Sequence, residues 1–141
     1  MPKQEIAVTT DCVIFCRKGG EEKILLVQRK KDPFKDEWAL PGGFLETDEP
    51  LEVGAKRELE EETGLKVEKV HQVKAFGDPG RDPRGRTISI AFWGEVASEE
   101  KVEGKDDAAD AKWFSTKELP VLAFDHDAIV KAALERFRSN Q

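Results

Sequence analysis

The chain has 141 residues, a net charge of −6 and 37% charged side chains. This length suits one domain, 1–141, which would bury roughly two thirds of the surface its unfolded form exposes. The acidic balance argues against non-specific nucleic-acid binding, no apolar run approaches the ~20 residues of a bilayer span, and the N-terminus MPKQEIAV lacks a signal-peptide core. The expectation is a cytoplasmic protein without nucleic-acid or membrane partners.

Residues 5–30 predict a β-hairpin, with Ile6, Val8 and Val13 to Phe15 in one run, Ile24 to Val27 in the next, and Lys18-Gly19-Gly20-Glu21 as the turn. Cys12 and Cys16 fall in the first run, about 13 Å apart by strand rise, too far for a disulfide, and read as core residues. Arg29 ends the second run, either as a phosphate-facing cation or as an exposed strand-end charge. A polar loop with Pro33 leads to the extended piece WALPGG at 38–43, where Trp38 reads as packing. Gly42 and Gly43 let backbone N–H groups approach a ligand closely, since no Cβ stands in the way, although a tight turn would use them equally.

Residues 50–63 predict a helix: Pro50 suits its first turn and Gly64 a left-handed C-cap. Leu51, Ala55 and Leu59 form its apolar stripe, and Glu58, Glu61 and Glu62 share the adjoining face at i, i+3 and i+4. Three such carboxylates repel, and a divalent cation, Mg2+ or Mn2+, removes the conflict. A solvated acidic face is the bland alternative.

Beyond the helix, residues 67–76 alternate as a strand. Residues 77–86, GDPGRDPRGR, can only be a loop; its arginines match phosphate oxygens, and an Asp can orient an Arg or accept from ribose hydroxyls. A charged surface loop with internal Asp to Arg pairs is the competing reading. Residues 87–96, TISIAFWGEV, predict a central strand because both faces are apolar. An acidic loop at 98–110 holds Glu103, Asp106 and Asp107; a strand at 111–114 and a last helix at 125–138 follow, with Asp125 as N-cap and His126 as a structural polar contact.

From Gly43 the spacing is Gly, five residues, Glu49, seven residues, Arg57-Glu58-Leu59, one residue, Glu61-Glu62, one residue, Gly64-Leu65. This string resembles the Nudix box at every fixed position, a chance match on the order of one in ten million. The segment 76–92, FGDPGRDPRGRTISIAF, and the LAFDH at 122–126 resemble the small microbial ADP-ribose pyrophosphatases of that family.

The resemblance implies an α/β/α Nudix sandwich with a central mixed β-sheet, and hydrolysis of a nucleoside diphosphate linked to another group by water attack on phosphorus. On this chain it makes Glu58, Glu61 and Glu62 metal ligands, with a carbonyl from Gly42 or Gly43, and makes Arg57 and Glu49 the residues that orient them. The general base stays open between Glu58 and the loop acids Glu103, Asp106 and Asp107, with Asp107 favoured among the latter. Arg29, Gly42, Gly43, Arg81, Asp82, Arg84 and Arg86 become candidates for substrate contact, and Phe76 or Phe92 for the adenine. The implied substrate is ADP-ribose, cut to AMP and ribose 5-phosphate by a homodimer. The rivals are another Nudix nucleotide substrate and a non-catalytic ADP-ribose sensor. Against the sensor stand the complete box, the acidity and an end at Gln141 after one helix.

Overall fold

The computed structural model describes residues 3–140; Met1, Pro2 and Gln141, which the one-domain expectation also spans, lie outside them. A long hairpin sets the frame. Strands β1 (Ala7–Lys18) and β2 (Glu21–Arg29) pair antiparallel around Gly19 and Gly20, both at positive φ, as the turn signal required. Two short strands follow, β3 (Trp38–Ala39) against β2 and β4 (Gly42–Phe44) against β1. Helix α1 (Leu51–Thr63) comes next, then β5 (His71–Phe76), β6 (Thr87–Val96), β7 (Ala108–Ser115) and helix α2 (His126–Ser139).

The sheet runs β3-β2-β1-β6-β5, with β4 added on β1 and β7 on β2. Strand β6 lies parallel to β1 from Ala7↔Thr87 to Cys16↔Val96, and the other pairings are antiparallel, so the sheet is mixed. Period-2 alternation along β1 splits the core in two. Val13 and Phe15 face α2, where Ile129, Val130, Ala133 and Phe137 cover them; Cys12 and Ile14 face α1, where Ala55 and Leu59 do. One sheet carries a helix on each face, which is the expected sandwich. Phe15 and Phe137 stack at 4.1 Å between ring centres, fixing α2 against the hairpin.

Several expectations need adjustment. Leu51 is a third exposed, so the buried stripe of α1 begins at Ala55. Strand β5 starts at His71 rather than at 67, because Val70 turns into the core beside Gly94. Strand β7 is longer than residues 111–114, extending along β2 from Ala108. Asp125 makes no side-chain cap to α2: its carboxylate is occupied by Arg81. Both cysteines are buried and free; burial pushes the Cys12 thiol up, and its S–H donates to the Ala55 carbonyl.

Candidate functional site

One cleft of about 310 Å³ opens where the start of β1, the end of β2, the Leu40–Gly43 segment and the flank of α1 meet. Its acidic side comes from α1. The helix ends at Gly64, whose φ of 79° lets its N–H close on the Glu60 carbonyl at 2.8 Å. Glu58 and Glu62, one turn apart on this helix, both line the cleft. Gly43 admits Glu58, since a β-carbon there would overlap its carboxylate, and Gly42 lets the segment lie against β1, where a β-carbon would overlap the Thr10 carbonyl and lie 2.6 Å from Asp11 Oδ1. The Gly42 N–H donates to Glu62 Oε1 at 2.9 Å.

Arg57 organises the neighbouring carboxylates. Its Nη2 donates to Glu49 Oε1 at 2.9 Å and its Nε to the other Glu49 oxygen, a bidentate pair. Its Nη1 donates to Glu58 Oε1 and Glu61 Oε1, both at 2.8 Å. Glu49 Oε1 also accepts the Glu46 N–H at 3.1 Å. The Arg57 hydrogen bonds hold the Glu49 carboxyl below its ordinary value, and the same contacts push the Arg57 guanidinium up. The helix-face trio is therefore divided. Glu58 and Glu62 face the cleft, whereas Glu61 is turned to Arg57 and is not part of the lining. Among the described residues no three acidic, thiol or imidazole groups converge on one point.

The donor set still fits a hard divalent cation. Burial pushes the Glu62 carboxyl up to about 8, and Glu58, Asp11 and Asp107 add to the effect. Glu58 is raised chiefly by burial, against the pull of Arg57. Two half-buried carboxylates with no full countercharge, beside a partly buried glycine backbone, offer the oxygen ligands that Mg2+ or Mn2+ takes.

The opposite wall is cationic and aromatic. Arg29 Nε donates to the Pro33 carbonyl at 2.7 Å, and its guanidinium lies 5.0 Å from the centre of the Phe124 ring. Arg84 grips buried Asp82 through Nη2 at 2.8 Å and Nε at 3.1 Å. Arg81 borders the cleft too, but is almost fully buried and bidentate on Asp125, at 2.6 and 2.9 Å, so it ties the 77–86 loop to α2. Arg86 is exposed, donates to the Gly77 carbonyl and stays outside the lining. Phe92 is 1% exposed in the α1 core and Phe76 packs on the α2 core, so neither is placed to meet an adenine in this cleft. Asp107 is mostly exposed at the rim, 3.5 Å from Lys31 Nζ; Glu103 and Asp106 lie outside the lining.

Sequence reasoning passed over Asp11 and Phe124. Asp11 is buried in the cleft floor, accepts from the Ser89 hydroxyl and lies 3.6 Å from His126 Nε2. His126 Nδ1 accepts the Leu40 N–H at 3.0 Å, and burial holds the imidazole below its ordinary value, so a neutral ring carries its proton on Nε2. The available signal was a carboxylate in the middle of the apolar run VTTDCVIF.

An acidic helix flank set against guanidinium groups across one cleft has the chemistry to take an anionic, phosphate-like ligand together with a cation. The chain belongs to the Nudix family: residues 6–137 match the NUDIX domain, and the protein is a Nudix hydrolase, a family that works with divalent metals. It is 47% identical over 125 residues, 89% of this chain and 71% of the relative, to an ADP-ribose pyrophosphatase of Methanocaldococcus jannaschii. The Nudix domain of Shewanella oneidensis NrtR, solved with ADP ribose, superposes with a TM-score of 0.87 at 31% identity over 96% of this chain and 90% of that one. A bifunctional NMN adenylyltransferase/ADP ribose pyrophosphatase of Francisella tularensis, solved with AMP and manganese, gives 0.80 at 35% identity over 96% of this chain and 43% of that one. Other relatives are also longer than this chain, which spans 54% and 38% of two of them. No helix among the described residues is long and apolar enough to cross a membrane.

Proposed function

We propose that this chain hydrolyses ADP-ribose to AMP and ribose 5-phosphate. The observation that carries the reading is the pairing, in one cleft, of two under-compensated carboxylates on α1 with the guanidinium groups of Arg29 and Arg84. Neither wall alone suits a diphosphate. The acids would repel it, and they become useful only with a divalent cation, Mg2+ or Mn2+, held by Glu58, Glu62 and the Gly42 backbone. Such an ion supplies charge to neutralise the diphosphate and to acidify an attacking water. Glu61 is the third donor of this reading and reaches an ion only by leaving Arg57.

The rest falls to the chain's own groups. Arg57, braced by Glu49, orients Glu58. Arg29, with Arg84 steered by Asp82, takes phosphate oxygens. Water oxygen bonds to one phosphorus as the bridging P–O bond breaks, and the water proton passes to Glu58 or Asp107. Asp107→Asn separates those two: a kcat and pH profile like the parent's assign the base to Glu58. The enzyme is read as a cytoplasmic homodimer, and its net charge of −6 speaks against a nucleic-acid ligand.

The test is a nucleotide panel with Mg2+. ADP-ribose is expected to turn over fastest, with AMP and ribose 5-phosphate in equal amounts. Equal or faster hydrolysis of dinucleoside polyphosphates, nucleotide sugars or oxidised dNTPs overturns the substrate. Similarity to the ADP-ribose-bound Shewanella domain favours a second reading, ADP-ribose binding without cleavage. Binding with no AMP formed would establish it.

A further inference from the structure

Phe124 stands just before α2 with its backbone in the left-handed region, at φ 54°, and Phe34, whose ring meets it at 4.7 Å, does the same at φ 61°. That conformation is costly for an aromatic residue and persists where surrounding contacts impose it, commonly at ligand sites. Here it brings the Phe124 ring to the cleft.

Two guanidinium groups gather on that ring. Arg29 lies 5.0 Å and Arg84 5.3 Å from its centre, and Arg84 also sits 4.9 Å from the centre of Phe44. The two arginines come from distant parts of the chain, the end of β2 and the 77–86 loop. Arg84 is matched by Asp82, whereas Arg29 has the Pro33 carbonyl and no ion pair among the described residues. Burial first, and then Arg84, hold the Arg29 guanidinium below its ordinary value. Each has its own tether, yet two like charges on long, rotamer-rich side chains still repel, and a common seat between them offsets that repulsion. The negative face of an aromatic ring supplies one.

We propose that Phe124 is a positioning residue for diphosphate binding: its ring holds Arg29 and Arg84 together, so that a diphosphate meets a preformed cationic pair. The proposal rests on the reading of those two arginines as phosphate ligands. It adds that their spacing depends on the electron-rich face of this ring, beyond the ring's bulk.

The experiment replaces Phe124 by mono-, di- and trifluorinated phenylalanine, which keep the shape while weakening the ring face, and by Leu and Tyr. Binding of inorganic pyrophosphate and adenosine to the Mg2+-loaded protein is followed by calorimetry. The expected result is a stepwise loss of pyrophosphate affinity with fluorination, about tenfold for Phe124→Leu, with Phe124→Tyr within about twofold of the parent. In turnover, KM for ADP-ribose should rise by a similar factor while kcat holds. Indifference of pyrophosphate binding to fluorination overturns the proposal, as does a loss confined to adenosine, which would make Phe124 a base-stacking surface. A parent that fails to bind pyrophosphate removes it as well. A parent that binds pyrophosphate in this graded way yet forms no AMP from ADP-ribose sinks the substrate reading and leaves the role of Phe124 standing.

Discussion

Two ion clusters in this molecule use the same residue types in opposite proportion. Around Arg57, one guanidinium serves Glu49, Glu58 and Glu61, with Glu62 close by. Around Glu22, one carboxylate serves Arg17 at 3.1 Å, Arg138 at 2.7 Å and the Thr116 hydroxyl at 2.9 Å. Burial raises the Glu22 carboxyl, but its hydrogen bonds from Arg138, Thr116 and Arg17 outweigh that and leave it below its ordinary value. In the first cluster Arg57 satisfies Glu49, which is lowered, but at Glu58 and Glu62 burial wins and both are raised. A cluster that serves only the fold satisfies its buried charge; one that leaves charge over is built for something not yet present.

The largest effect expected from this difference is at Glu62. Glu62→Gln keeps the side chain's shape and its acceptor for the Gly42 N–H, and removes only the charge. AMP formation from ADP-ribose should fall on the order of a thousandfold. The melting temperature of the metal-free protein should hold or rise, because a crowded buried carboxylate has gone. Initial rates and thermal melts measure both, and a variant retaining parental turnover would erase the distinction between the clusters.

Arg57 comes next. Arg57→Lys keeps one positive charge and loses the fork that reaches three carboxylates at once. Turnover should drop roughly 10- to 100-fold, the usual scale for residues that orient ligands. Stability should fall here, opposite in sign to Glu62→Gln. If the lysine variant loses stability with kcat intact, Arg57 belongs with the structural cluster instead.

How far the sequence discloses this contrast depends on the range of the interactions involved. Helix periodicity and the Gly64 cap are local, so α1 and the shared face of Glu58, Glu61 and Glu62 were readable from spacing. So was the reach of Arg57 to Glu61 at i+4. The division of the trio was not, because it depends on Arg57 also meeting Glu49, eight residues earlier across the turn into α1. The 77–86 loop was recognisable from its prolines, glycines and arginines, yet the separate fates of Arg81, Arg84 and Arg86 follow from partners at Asp125, Asp82 and Gly77. Phe124 is harder still to foresee: its use comes from a left-handed backbone and from two arginines, Arg29 lying 95 residues before it in sequence. The Glu22 cluster likewise joins β1, β2, the end of β7 and α2, with nothing in any one stretch to announce it.

That cluster gives the smallest and cleanest effect. Glu22 is shared by a half-exposed Arg138 and a partly exposed Arg17, so solvent screens much of the attraction, and Glu22→Gln should cost about 1 kcal/mol. For a domain of this size that lowers the melting temperature by roughly 2–4 °C, with turnover of ADP-ribose unchanged. The pH dependence fixes the origin of the loss. Because the folded-state pKa of Glu22 lies below its unfolded value of about 4.3, its contribution is complete above that value and disappears as pH falls through the lower folded-state value. Parent and variant should therefore differ by a constant amount between about pH 6 and pH 8 and converge below about pH 4. A gap that persists into acid would trace the loss to packing rather than charge, and Glu22 would cease to be the balanced counterpart of the cluster around Arg57.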